Sequence, residues 1–354
     1  MRKLHITSAY TADREKWLGL LTQAGIKPEN TIEEVFGLFD GDRLAATAAR
    51  FRNIIKCVAV AEAYQGSNVF NELIGGVYNE VFEKGYASCF VYTKKDAKDA
   101  FGHLGFREIE HVDDKLYFME HAVSGFQDYI KNLNNCRRIG QNAEVTSSKG
   151  EENRQAAIVM NANPFTIGHL HLVTQASMAN ETVHLFVLSE DMSAFSTVVR
   201  TELVKQGTAH LKNVILHPTS DYMVSAATFP AYYLKECDDT TEIQARLDAR
   251  IFMNHIAPAL GITVRYVGTE PFSVATGIYN DALKKEFGGA LELVVLDRVC
   301  VGQEVVSAST VRKLLAAGEL EEAGKLVPPT TYRYFLSEPD CGLAGKRRNS
   351  TDIL

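Results

Sequence analysis

No apolar run in the chain approaches the roughly 18–20 residues that a membrane span needs, so neither a membrane helix nor a membrane partner is expected. Behind Met1, Arg2 and Lys3 there is no hydrophobic region, so no secretory leader is read. The six cysteines, Cys57, Cys89, Cys136, Cys237, Cys300 and Cys341, form no Cys-x-x-Cys pair. Thiols so scattered argue against a disulfide frame or a cysteine zinc site, and suit a reducing, cytoplasmic setting. Basic charge is also short: 37 Lys and Arg face 44 Asp and Glu, a formal charge of -7. General nucleic-acid binding draws on counterion release by a basic surface, so that function is excluded. What remains is an ordinary folded composition, 46% apolar and 23% charged. At about 150 residues per domain, 354 residues suggest two domains and a linker.

Two rhythms divide the chain. In residues 1–120, Asp40-Gly41 sits between two strand-like runs as a hairpin turn. Another strand is expected over 54–60. A helix over 69–84 follows, with Val69, Leu73, Val77 and Val81 in one row and Phe70, Ile74, Tyr78 and Phe82 in the next. Gly85 reads as its stop. A strand at 88–93, a short helix at 96–103 and strands near 107–112 and 115–119 complete an α+β order with a largely antiparallel sheet.

Residues 121–154 read as a linker, with one amphipathic helix carrying Phe126, Tyr129, Ile130 and Leu133, then a polar stretch. From 155 to 338 strands near 156–160, 183–188, 213–217, 264–267 and 291–296 alternate with helices. Most repeat at about 30 residues, the length of a strand–helix–strand unit, so a parallel sheet is expected. A helix is expected in the long gap before 264. Residues 339–354 read as a flexible tail, with Lys346, Arg347 and Arg348 serving solubility.

Two segments carry the chemistry. In AIVMNANPFTIGHLHL, residues 157–172, a strand ends at Met160 and a helix begins near Gly168 and His169. Ligands of parallel sheets bind at the carboxyl ends of strands, where free amides and the helix dipole favour an anion. Gly168 permits close approach of a phosphate, and His169 and Thr166 can donate hydrogen bonds to it. Asn161 and Asn163 add polarity without negative charge. In VVSASTVRKLLAAGEL, residues 305–320, Ser309 reads as the N-cap of a helix 310–317 ending at Gly318. Arg312 then stands in the first turn, against the dipole unless a polyphosphate is bound.

Together these segments resemble the nucleotidyltransferase superfamily. Pro164, Thr166, Gly168 and His169 match its first signature, with threonine replacing the commoner first histidine and Asn163 a frequent aspartate. Val306, Ser307, Ser309 and Arg312 match the second. Further stretches, LFVLSED (185–191), RTELVKQGTAHLKNV (200–214), ATFPAYYLK (227–235), VGTEPFS (267–273) and VPPTTY (327–332), resemble the citrate lyase ligase family. The first domain resembles GNAT-type acetyltransferases through Phe101, Gly105 and Phe106. Gln65 to Phe70 stand in that family's phosphate loop, although Asn68 and Phe70 replace its small residues.

The resemblance implies an α/β protein: a Rossmann-like nucleotidyltransferase domain, 155–338, preceded by a smaller GNAT-like domain, 1–120. It implies ATP and Mg²⁺ as cofactors and acetate as substrate. Acetyl-adenylate and pyrophosphate would form first; the acetyl group would then pass to the CoA-like thiol of the citrate lyase acyl-carrier subunit, releasing AMP. His169 and Thr166 would be catalytic. Asn161, Asn163, Gly168, Ser307, Ser309, Thr310 and Arg312 would bind nucleotide.

Other readings stand beside these. The two motifs report on ATP alone, so an adenylyltransferase for a phosphopantetheine or nicotinamide precursor is an alternative, as is a non-catalytic nucleotide sensor. Arg200 is either a phosphate contact or a solvated helix residue. Gly268 and Glu270 are either nucleotide contacts or a turn with a capping acid. His171, about 200° around the helix from His169, reads as structural. Glu236, Asp238 and Asp239 read as a solvated loop, and Cys136 as an ordinary thiol.

Overall fold

A computed structural model describes residues 2–5, 11–28, 31–142, 154–189, 194–223, 240–269, 274–302 and 304–338. Glu236, Asp238, Asp239, Glu270 and the tail, 339–354, lie outside the described residues. The chain forms two compact units: Met1–Asn132 with Val224–Ile251, and Leu133–Met223 with Phe252–Leu354.

The first unit opens with β1 (Arg2–His5) and α1 (Thr11–Gln23), neither of which the apolar runs announce. The signal for α1 is the spacing of Trp17, Leu20 and Leu21, all buried. β2 (Glu34–Asp40) and β3 (Arg43–Phe51) form the expected hairpin, its turn passing through Gly41 at φ 58. β4 (Ile54–Val60), α2 (Val69–Glu83), β5 (Ser88–Thr93), α3 (Lys95–His103), β6 (Arg107–Val112) and β7 (Leu116–Ala122) follow at the expected places. Val69, Leu73, Ile74, Val77 and Val81 of α2 are buried against this sheet, and Gly85, at φ 87, ends the helix. The seven-stranded sheet runs β1-β2-β3-β4-β5-β7-β6. Its pairings are antiparallel except β4 with β5, which join in parallel only at Ile54–Phe90 and Ile55–Val91 before they part.

α4 (Phe126–Asn142) is the amphipathic helix of the seam. Its first amide is capped by Glu120, which accepts the Phe126 N–H at 2.6 Å. The second unit then follows the strand–helix alternation: β8 (Gln155–Met160), α5 (Ile167–Ala179), β9 (Thr182–Val187), α6 (Thr197–Thr208) and β10 (Val214–Pro218). α7 (Thr240–Ile251) belongs to the first unit, where Arg246 and Arg250 bind Asp113 beyond β6 at 2.8 and 3.1 Å. A π-helical turn (Phe252–Ile256), α8 (Ala257–Leu260), β11 (Val264–Gly268), α9 (Val274–Phe287) and β12 (Glu292–Leu296) return to the second. The small hairpin β13 (Cys300–Val301) and β14 (Glu304–Val305) leads to α10 (Ala308–Ala317), α11 (Leu320–Lys325) and α12 (Pro329–Ser337).

The second sheet has order β10-β9-β8-β11-β12 and is parallel throughout. From β8 the chain winds outward one way to β10, then crosses back to β11. The switch point therefore falls between β8 and β11, where a crevice opens at the carboxyl ends of the strands. α/β architecture is thus present in both units: a mixed, mainly antiparallel sheet first, an all-parallel sheet second. Ile158, Val173, Leu185, Val204, Val264 and Tyr266 fill the core beside that switch point.

Candidate functional site

The strand β8 ends in a loop whose shape is heavily constrained. Ala162 adopts φ 50, and the Asn163–Pro164 peptide is cis. Behind the loop lies Arg200 of α6, fully buried. Its Nη1 donates to the carbonyl and the side-chain oxygen of Asn161, and to the Leu188 carbonyl, each at 2.8 Å. Its Nε donates to the Phe195 carbonyl at 3.1 Å, and Nη2 to Thr197 Oγ1 at 2.9 Å. Arg200 thus joins three chain segments by backbone and side-chain bonds, so its charge is compensated by oriented carbonyls. The Asn163 side chain adds another tie, accepting the Phe195 N–H at 3.1 Å.

Thr166 ends the loop as the N-cap of α5. Its hydroxyl accepts the His169 N–H at 3.3 Å, and its own N–H donates to His169 Nδ1 at 3.0 Å. This is a capping box with histidine in the place usually held by Glu or Gln. It has a chemical consequence. Nδ1 accepts from the backbone, so the ring proton of the neutral imidazole sits on Nε2, which becomes a donor. Burial, with the positive charge of Arg298 as the second cause, pulls the His169 pKa down to about 4. The ring is therefore neutral near pH 7. Phe165 stacks on it at 5.9 Å with planes 12° apart.

The second motif starts α10, and here the structure corrects the expected cap. Ser307, at φ -136 and ψ 147, is the N-cap, and its hydroxyl accepts the Thr310 N–H at 3.0 Å. Ser307 keeps extended backbone while its oxygen reaches the third amide of the helix, the geometry a cap needs. The helix thus begins two residues before the expected start, and Arg312 stands in its second turn. Gly318 ends it, as expected, at φ 81. Arg312 reaches across to the first motif: Nη1 donates to the Asn163 carbonyl and Nη2 to Ser309 Oγ, the latter at 3.1 Å. A second tie runs from the Ile167 N–H to the Leu326 carbonyl at 3.1 Å.

Both helix starts face one cavity of about 350 Å³ at the switch point. Asn161, Thr166, Gly168, His169, Ser307 and Gly268, all singled out in the sequence, line it. Asn163, Ser309, Thr310 and Arg312 are joined to its wall by the bonds above, whereas Arg200 holds the loop from behind. His171 also lines the cavity, at an exposed position, because the opening extends beyond the first turn of α5.

Four polar lining residues were not anticipated: Tyr279 and Asn280 of α9, and Asp297 and Arg298 after β12. Their signal is positional. Each pair follows a parallel strand or stands on the helix after it, information that appears only once strand order is known. In the first unit a separate cavity of about 400 Å³ opens where β4 and β5 part, with Gln65 and Phe70 at its wall.

Residues 155–335 match the family model described as the citrate lyase ligase C-terminal domain. The chain is 33% identical over 321 residues to a [citrate [pro-3S]-lyase] ligase of Escherichia coli (strain K12), covering 89% of this chain and 88% of that protein. It is 35% identical over 322 residues to the protein of the same name from Haemophilus influenzae (strain ATCC 51907 / DSM 11121 / KW20 / Rd), covering 89% and 92%. Among solved structures, Thermotoga maritima TmcAL bound with alpha-thio ATP is similar at 13% identity and TM-score 0.35, covering 52% of this chain and 56% of that one.

Proposed function

The chain belongs to the citrate lyase ligase family, and from that membership we propose that its second unit activates acetate with ATP and acetylates the carrier thiol of citrate lyase. The observation that carries this reading is the convergence of both phosphate-type helix starts on one cavity, tied together by the Arg312–Asn163 bond.

Acetate attacks the α-phosphate in line; one P–O bond forms and the bond to pyrophosphate breaks. Such a step requires positioning and charge stabilisation, and no protein nucleophile. The neutral His169 donates from Nε2 to an α-phosphate oxygen as negative charge builds up. Thr166 keeps that tautomer in place through its backbone N–H. The amides at the start of α5 and the dipole behind them act in the same direction. Ser307, Ser309, Thr310 and Arg312 hold the β- and γ-phosphates, with Asn161 and Gly268 beside the nucleotide. Asp297, which lines the cavity, is the carboxylate that would hold a Mg²⁺ ion, and the ion would supply charge neutralisation to the phosphates. In the second step the carrier thiolate attacks the acetyl carbonyl, a C–S bond forms, and AMP departs with the electron pair of the broken C–O bond.

An adenylyltransferase for a pantetheine or nicotinamide precursor, and a non-catalytic nucleotide sensor, are not favoured, since relatives aligned over 89% of the chain are ligases. Acetate-dependent exchange of radiolabelled pyrophosphate into ATP tests the proposal. Wild type should exchange only with a carboxylate present, and His169→Ala should lose at least about 100-fold, the cost of deleting one preorganised donor. Exchange indifferent to carboxylate would overturn the reading.

A further inference from the structure

The cavity contains a cation that neither motif supplies. Arg298 follows β12, at the carboxyl end of the parallel sheet, and lines the cavity with its residue half-exposed. Its position is fixed twice. The Thr269 N–H donates to the Leu296 carbonyl at 2.8 Å, which zips the ends of β11 and β12 together. Arg298 Nε then donates to the Thr269 carbonyl at 2.6 Å. A guanidinium anchored through Nε keeps its plane, and its outer edge is the part suited to bidentate contact with a phosphate.

The charge pattern around it is lopsided. Of the described residues lining the cavity, Asp297 is the one carboxylate and Arg298 the one arginine or lysine; the histidines there are His169, neutral near pH 7, and the exposed His171. Arg312, the cation of the second motif, is bonded to Asn163 and Ser309 at the wall. Two anions, a carboxylate and an α-phosphate, must nevertheless meet in this space. Bringing them together at a few ångströms is electrostatically unfavourable unless a cation lies between or beside them.

We propose that Arg298 is a catalytic residue of this site, binding the nucleotide's phosphate chain opposite His169 and neutralising the charge that acetate attack adds there. The assignment rests on the ATP-site reading above and names a residue outside both signature motifs. It also gives the β11–β12 zipper a purpose: the Thr269 carbonyl aims the guanidinium.

Arg298→Gln and Arg298→Lys separate the possibilities. Calorimetry with ATP should show about 10- to 100-fold weaker binding in Arg298→Gln, the range for a lost charge-assisted bond, while adenosine binds as in wild type. Arg298→Lys should recover part of the loss. An NMR titration should find the His169 pKa higher in Arg298→Gln than in wild type, since a nearby positive charge is gone. Unchanged ATP affinity in Arg298→Gln would overturn the assignment, as would equal weakening of ATP and adenosine, which marks a purely structural residue. A wild type that binds ATP yet shows no acetate-dependent exchange would defeat the ligase reading and leave Arg298 standing. A wild type that binds no ATP would remove both.

Discussion

The two helix starts at the cavity are built to different standards of rigidity. At α5 the cap is 2% exposed, the loop before it is held by buried Arg200, and the third helical residue returns a bond to the cap. At α10 a single serine hydroxyl caps the helix, Ser309 is exposed, and the side-chain hydrogen bond to the first motif is one arginine's, beside the packing of Val306 and Val311. The reacting phosphate needs a donor fixed within fractions of an ångström, which favours the buried, reciprocally bonded start. The leaving pyrophosphate must be gripped and then released, which favours a start held by flexible side chains.

The largest stability effect should come from the rigid side. Arg200→Met removes the donor of the buried Phe195 carbonyl, at about 1–3 kcal/mol, and those of the half-buried Leu188 and the exposed Asn161, which water can partly replace. Denaturant unfolding should show a loss of about 2 kcal/mol or more, together with collapse of pyrophosphate exchange. A loss below about 1 kcal/mol would mean that the loop holds its shape without the clamp.

Acid should likewise strike the rigid side first. Burial pulls His169, and the sheet residue His217, to about pKa 4, below the 6.5 of an unfolded histidine. A depressed histidine pKa gives stability that is complete above pH 6.5 and is lost as pH falls toward 4, because the unfolded chain takes up the proton first. By pH 5 one such group costs roughly 2 kcal/mol. His169→Gln keeps a capping-box acceptor without a titrating ring. Its stability should therefore fall less between pH 7 and 5 than that of wild type, with His217 and His121, both lowered by burial, contributing to the remainder. Identical slopes would show that His169 is not strained by protonation.

The smallest effect belongs to the open side. Ser307→Ala deletes one cap and should cost about 1 kcal/mol in thermal or denaturant unfolding. If it cost as much as Arg200→Met, the contrast between the two helix starts would not hold.

Much of this molecule is written in local pattern. The rows of α2, the Gly85 and Gly318 stops, and the strands of the parallel sheet follow from periodicities that short segments express by themselves. Gly168 and His169 were legible because glycine, small polar residues and a helix start stand together in sequence. Elsewhere local pattern was ambiguous. Ser307 and Ser309 are both good caps, and only the backbone path out of β14 selects the first. Arg200 looks like any helix cation until the carbonyls around it are seen. Arg298 carries no motif at all.

The amino-acid order by itself determined most of the strands and helices, though not β1, α1 or the exact start of α10, and it showed roughly where both phosphate-type starts lie and that one of them carries histidine. Those are properties of neighbours within a turn or two. The tertiary structure alone decided that the starts share a cavity, that His169 keeps its proton on Nε2, and that Arg298 joins it from two strands away. These outcomes depend on strand order and burial, and hence on contacts between residues more than a hundred positions apart, which no local period encodes.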